Sequence, residues 1–223
     1  MVKIGLHKGE EIREVIQNKL KSFNDVYRNG PDLYFYRRIL DLNAKVEKIS
    51  YFLRSDYNLE ILYATLVSWD MNSRGAKMKY FDDFKGNILA LQDQFEKLWK
   101  KRIEETADFE ATLHTVSDVY DKLHVMRTGG KLVSNSKLLH FIFPHLLMPM
   151  DRSNTLEYFY NNTNESKAKY LDLLRWSYDM VKSGGIEWEK YLDDQWNSTI
   201  PKILDNAIIL KHNKSVKSAQ EDV

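Results

Sequence analysis

Lys137 and Asp151 are the two residues of this chain whose setting suits bond-making chemistry. Lys137 follows the polar stretch Ser134-Asn135-Ser136 and precedes the apolar run 138–143, so it is expected in the opening turn of a buried helix. The positive end of the helix dipole and the apolar neighbours Leu138, Leu139 and Phe141 both disfavour a charged amine, and the neutral amine is the form that attacks an electrophilic carbon. Asp151 follows Pro149-Met150 and is expected at a helix N-terminus, where a carboxylate stays ionised. Beside a sugar C1′, such a carboxylate stabilises the oxocarbenium character that develops as a leaving group departs. The plainer alternative is a solvated helix lysine and a simple N-cap.

A second candidate is the stretch 69–79, WDMNSRGAKMK. The ring of Trp69, the amide of Asn72 and the cations Arg74, Lys77 and Lys79 suit wedging into a duplex or stacking on an extruded base. A helix C-terminus with Trp69 in the core and cations near the negative dipole end accounts for the same residues. Together with Arg127, Lys131, Lys137 and Arg152, these cations would form a phosphate-binding patch if folding gathers them. His140 and His145 lie five apart with Pro144 between them, poor spacing for two metal ligands, and His114 and His124 read as surface or core-edge residues. No P-loop, dinucleotide turn, nucleophile elbow or HExxH motif occurs. The clusters Tyr34-Phe35-Tyr36 and Tyr158-Phe159-Tyr160 read as core and interface, because no basic or Gly residues interleave them.

Helices must position these groups. Gly and Pro are few, nine and four, and strict alternation is nearly absent. Residues 10–23 place Ile12, Val15, Ile16, Leu20 and Phe23 on one helical face. The break at Asn29-Gly30-Pro31 precedes a helix expected over 33–53 with Asp32 as its cap. Asp56 or Asn58 would cap a nearly all-apolar helix over 59–69, central in the core. Gly75 would turn the loop 70–79. Long helices are expected over 81–102 and 108–126, the second ended by Gly129-Gly130, with Ser134 or Asn135 starting the next. Pro144 and Pro149 bracket a turn, and Asp151 or Ser153 caps a helix over 155–160. Helices over 166–181, 187–196 and 200–210 follow, Gly184-Gly185 stopping the first and Pro201 opening the last. The polar end 211–223 is expected to fray.

The 223 residues are 43% apolar and 13% aromatic, enough for one domain or two packed lobes with a substantial core. The net charge of +1 supplies no global field for a polyanion, so any such site must be local. The absence of cysteine excludes disulfides, zinc–thiolate sites, iron–sulfur clusters and thiol catalysis, and suits a reducing cytoplasm. No apolar run approaches membrane-spanning length, so a cytoplasmic protein without a membrane partner is expected.

Lys137 and Asp151 in their setting resemble the helix-hairpin-helix DNA glycosylases of the endonuclease III and 8-oxoguanine glycosylase superfamily. The matching parts are the helix over 108–126, the hairpin Thr128-Gly129-Gly130-Lys131-Leu132-Val133-Ser134-Asn135-Ser136, Lys137, and Asp151 in Pro149-Met150-Asp151-Arg152. The resemblance covers roughly residues 58–160. The family hairpin reads L-P-G-V-G-x-K, and Val133 and Asn135 stand where its glycines belong; Asn tolerates a left-handed backbone and Val does not. The Lys-to-Asp segment is also shorter than the family's. The resemblance implies an all-α fold of two lobes, one of residues 56–150 and one combining 1–55 with 151–210. It further implies DNA as partner, base excision with Lys137 as the amine and Asp151 as the carboxylate, and no cofactor. DNA contacts would come from Trp69, Asn72, Arg74, Lys77, Arg127, Lys131, Ser134, Asn135 and Arg152. Two other readings stay open: a non-catalytic module for nucleic acid or protein on the same scaffold, and an assembly protein that dimerises through its aromatic surfaces.

Overall fold

The computed structural model describes residues 6–27, 30–71 and 77–212. Asn29, Asn72, Arg74, Gly75 and the tail 213–223 lie outside the described residues. Helix α1 (Leu6–Asn18) buries Ile12, Val15 and Ile16, the apolar face read from the spacing. It does not run on to Phe23: the backbone leaves helical values at Lys19 (φ −128°, ψ −17°), and a 3-10 turn (Leu20–Ser22) leads into α2 (Phe23–Val26). Helix α3 (Pro31–Ala44) has its proline in the first turn and Gly30 as N-cap, while Asp32 accepts from its neighbour Leu33 N. It ends well before residue 53 because the Lys100 amine satisfies the Asn43 carbonyl at 2.7 Å, and α4 (Ile49–Leu53) is separate.

Ser55, rather than Asp56 or Asn58, caps α5 (Asp56–Leu66) by accepting from Asn58 N. Leu59, Leu62 and Leu66 of α5 are fully buried. A wide turn over Val67–Met71 follows, with Asp70 in left-handed backbone (φ 64°). In place of one helix over 81–102 there are α6 (Phe81–Leu89) and α7 (Gln92–Glu96). The bend at Leu91 (φ −104°, ψ 9°) turns Leu91, Phe95 and Leu98 inward, where α7 packs on α4. Helix α8 (Phe109–Lys122), capped by Asp108, stops short of Met126. Leu123 is extended, and residues beyond it pair antiparallel with 77–79 through Lys79 N to Val125 O and Arg127 N to Lys77 O, both 2.9 Å.

Helix α9 (Leu132–Ile142) is buried almost all round. After the turn Arg152–Leu156 come α10 (Glu157–Tyr160), α11 (Lys167–Lys182) and α12 (Ile200–His212). The helix expected over 187–196 is only a 3-10 turn at Trp188–Tyr191, because the side chains of Asp193, Asn197 and Asn206 hold the following residues in a loop. Helix α12 runs through Lys211 and His212, which had been expected to fray.

The fold is all-α, with no strand among the described residues beyond one isolated bridge between Met78 and Met126. No helix among them is long and apolar enough to cross a membrane. One continuous apolar cluster holds it together. Helices α3, α5 and α9 pack on one another, α8 lies against α11, and α1 closes over α12. Inside, His140 is fully buried: Nδ1 donates to Leu147 O (2.7 Å), so Nε2 accepts from the Tyr36 hydroxyl (2.8 Å). Burial drives the His140 pKa from 6.5 down to about 3.

An unfolded chain protonates this histidine below pH 6.5 and the folded chain does not until about pH 3, so folding stability is lost as pH falls between those values. Between pH 7 and 5, denaturant unfolding of the wild type should lose about 2 kcal/mol through this group. His140→Gln should remove that part of the slope, and an unchanged slope would disprove the assignment.

Candidate functional site

Lys137 is the sixth residue of α9 rather than part of its opening turn, because the helix already begins at Leu132. The helix dipole therefore matters less than expected, and burial is what holds the amine below its usual range. Asp151 and Asp205 oppose that shift, Lys202 adds to it, and Asp70 opposes it. The amine donates to Trp69 O at 2.9 Å. That carbonyl is available because the left-handed Asp70 breaks the helix, leaving its last carbonyls without intrahelical donors.

Asp151 is the N-cap expected of it. One oxygen, Oδ1, accepts from Ser153 N (2.8 Å) and Asn154 N (3.0 Å) and fixes the turn that follows. Upstream, Met150 N donates to the buried Ser136 hydroxyl at 3.1 Å, tying the Pro149-Met150 segment to α9. Lys137 and Asp151 do not pair directly, yet both line one cavity of about 210 Å³.

Four aromatic residues from three segments wall this cavity: Phe23 and Tyr27 of α2 and its C-cap, Trp69 and Trp196. Both indole N–H groups are already used, Trp69 on Asp32 O (3.2 Å) and Trp196 on Tyr27 O (2.9 Å). The walls therefore offer ring faces. Helix α12 adds an ion pair, Lys202 to Asp205 at 2.6 Å, with side chains only 3% and 5% exposed. The Lys202 ammonium lies 4.9 Å from the Trp69 ring and 5.4 Å from the Trp196 ring. Burial raises the pKa of Asp205, with Lys202 opposing.

A second, polar groove of about 280 Å³ shares Asp70, Lys137 and Asp151 with the aromatic cavity. Its other lining residues include Thr128, Gly130, Ser134, Arg152 and Glu165, with Met71, Met126 and Val133 as its apolar part. The three shared residues thus stand between an aromatic compartment and a polar one. Glu165 accepts from Leu132 N at 2.7 Å, occupying the N-terminus of α9, and pairs with Arg152. A Cβ on Gly130 would come within 2.9 Å of the Arg152 guanidinium and 3.3 Å of Glu165, so this pair lies directly on a glycine.

Of the residues read from the sequence, Lys137, Asp151 and Trp69 come together in the cavity, and Ser134 and Arg152 line the adjoining groove. Asn135 requires correction. It lies inside α9 at 0% exposure, and its amide donates to Tyr120 O and Leu123 O, both at 3.3 Å, joining α9 to the end of α8. A residue so buried has no surface for DNA. Arg127 lies over the Tyr80 ring and donates to Met78 O, and Lys131 donates to Asp121 O; neither lines the cavity or the groove, nor does exposed Lys77. Among the described residues no three His, Asp or Glu side chains converge to hold a metal ion.

Sequence reasoning missed Lys202, Asp205, Trp196 and Glu165. A signal for the first two was present: in IPKILDNAIIL, a lysine and an aspartate three apart interrupt a helix that is otherwise apolar on nearly every side. Comparison with models of known protein families, with curated proteins and with solved structures finds no match for this chain.

Lys202→Met leaves the buried Asp205 without its partner and should cost about 3–5 kcal/mol in denaturant unfolding. The double variant Lys202→Met/Asp205→Leu should recover most of that loss. Equal destabilisation by the single and the double variant would show that the pair is not what holds the Asp205 charge.

Proposed function

We propose that this chain binds DNA and excises a base from it through an amine, as a DNA glycosylase with lyase activity. The observation that carries the reading is the shared wall of Lys137, Asp151 and Asp70 between an aromatic cavity and a polar groove. An extruded nucleotide has the same two halves: a flat ring that stacks on aromatic faces, and a polar sugar that joins it at C1′. With the ring among Trp69, Trp196 and Tyr27, C1′ falls at Lys137 and Asp151.

In this mechanism the lone pair of the uncharged Lys137 amine forms a bond to C1′. The C1′–base bond breaks, and the base leaves with its electron pair and takes up a proton. Asp151 stabilises the positive charge that builds on the sugar. Loss of a proton from nitrogen and opening of the sugar ring then give a Schiff base between Lys137 and C1′. Burial of the amine supports the first step, since desolvation favours its neutral form. The division into a lobe of residues 56–150 and a lobe of 1–55 with 151–210, and the helix-hairpin-helix kinship, belong to the same proposal.

A second reading, a non-catalytic module on this scaffold, is favoured by Glu165. Its carboxylate occupies the end of α9 where a hairpin of the resembled family would meet a phosphate.

Borohydride trapping on a duplex containing an abasic site separates the two. Wild type should give a covalent complex and Lys137→Ala should give none. Salt-dependent binding to the same duplex without trapping would favour the module, and equal trapping by Lys137→Ala would remove the amine from the mechanism.

A further inference from the structure

We infer that Lys202 and Asp205 read the polar edge of the ring held in the aromatic cavity, selecting heterocycles that present a hydrogen-bond acceptor directly beside an N–H. The inference rests on the proposed function only in taking the cavity's occupant to be a planar ring.

An ammonium carries three N–H donors, and Lys202 spends one on Asp205 Oδ2. The others meet no hydrogen-bond acceptor among the described residues, and the ammonium lies beside the Trp69 and Trp196 rings of a cavity that both residues line. The second oxygen of Asp205 accepts from none of the described residues. A donor with unused N–H groups is therefore held 2.6 Å from one oxygen of a carboxylate whose other oxygen is uncommitted, and both residues line the cavity. An amide-like edge matches this pair: its carbonyl or ring nitrogen accepts from Lys202, and the neighbouring N–H donates to Asp205. Both bonds are charge-assisted.

The indole N–H groups of Trp69 and Trp196 do not supply this recognition, because they are already bonded to Asp32 O and Tyr27 O. Stacking on ring faces tolerates any flat ring. Discrimination must come from groups in the plane of the ligand, and on α12 these are Lys202 and Asp205. A ring lacking the edge leaves two buried charged groups short of partners, which weakens its binding far more than its loss of contact area would. A buried ion pair is a poor device for stability alone, which agrees with retention for recognition.

Three ligands of similar size test the inference by titration calorimetry on the full chain: 9-methylhypoxanthine, which keeps a single N–H beside its carbonyl; 1,9-dimethylhypoxanthine, in which that N–H is blocked; and 1-methylbenzimidazole, which lacks the edge. 9-Methylhypoxanthine should bind at least about tenfold more tightly than either of the others. Lys202→Met/Asp205→Leu should abolish that difference. Equal binding of the three ligands, no binding of any at millimolar concentration, or an unchanged preference in the double variant each overturns the inference. The wild-type series is decisive alone if the variant fails to fold. Trapping on an abasic duplex is scored separately: a wild type that prefers 9-methylhypoxanthine but traps no abasic DNA sinks base excision and leaves the edge reading standing.

Discussion

An ammonium and a carboxylate 2.6 Å apart, both nearly out of water, are a costly arrangement, and their neighbours are organised around them. Lys202 and Asp205 sit on α12, where Ile203, Leu204, Ala207 and Ile208 are fully buried as well. A helix buried on so many sides gives a charged side chain few routes to solvent. The charges are therefore balanced locally, by each other and by the ring faces of Trp69 and Trp196. Those rings are held in turn. The Trp196 segment is fastened by Asn206, which donates to Trp196 O and Asn197 Oδ1, and Tyr36 stacks on Trp196 while bonded to buried His140.

The rest of the cleft is built from helix ends, where backbone groups lack intrahelical partners. The turn after α5 ends at left-handed Asp70 and leaves Trp69 O for the Lys137 amine. The turn after Pro149-Met150 begins at Asp151, whose carboxylate takes two of its free N–H groups. Leu132 N at the start of α9 is met by Glu165. These helix ends thus contribute Asp70, Asp151 and the neighbourhood of Glu165 to the walls around Lys137. The consequence is a lysine whose amine is desolvated and held toward its neutral form, the state that nucleophilic chemistry needs.

How much of this was legible differs residue by residue. Lys137 and Asp151 stood out because an apolar run and a proline pair flank them, and apolar neighbours do predict burial. Asp108 and Ser166 read correctly at helix starts because capping is local, a side chain accepting from a backbone N–H three residues on. Ser134 and Asn135 misled for the same reason: they have the composition of a cap, yet α9 starts earlier and Asn135 bonds to carbonyls at the end of α8. Helix ends at Ala44, Leu89 and Lys122 were misplaced because distant groups set them, Lys100 at the first, packing on α4 at the second and the pairing with residues 77–79 at the third.

Periodicity, capping chemistry and the absence of cysteine are local properties, so the order of amino acids alone determined that this chain is helical, where most of its helices lie, and that a lysine and an aspartate would border buried apolar stretches. Which charges face which was decided by tertiary packing. Lys202, Asp205 and Trp196 meet Lys137 and Asp151 because α12 folds back beside the turn at Arg152–Leu156, and no local rule carries that information. The energy of a buried charge depends on partners brought from elsewhere in the chain, so the site's chemistry exists only once the helices have closed around it.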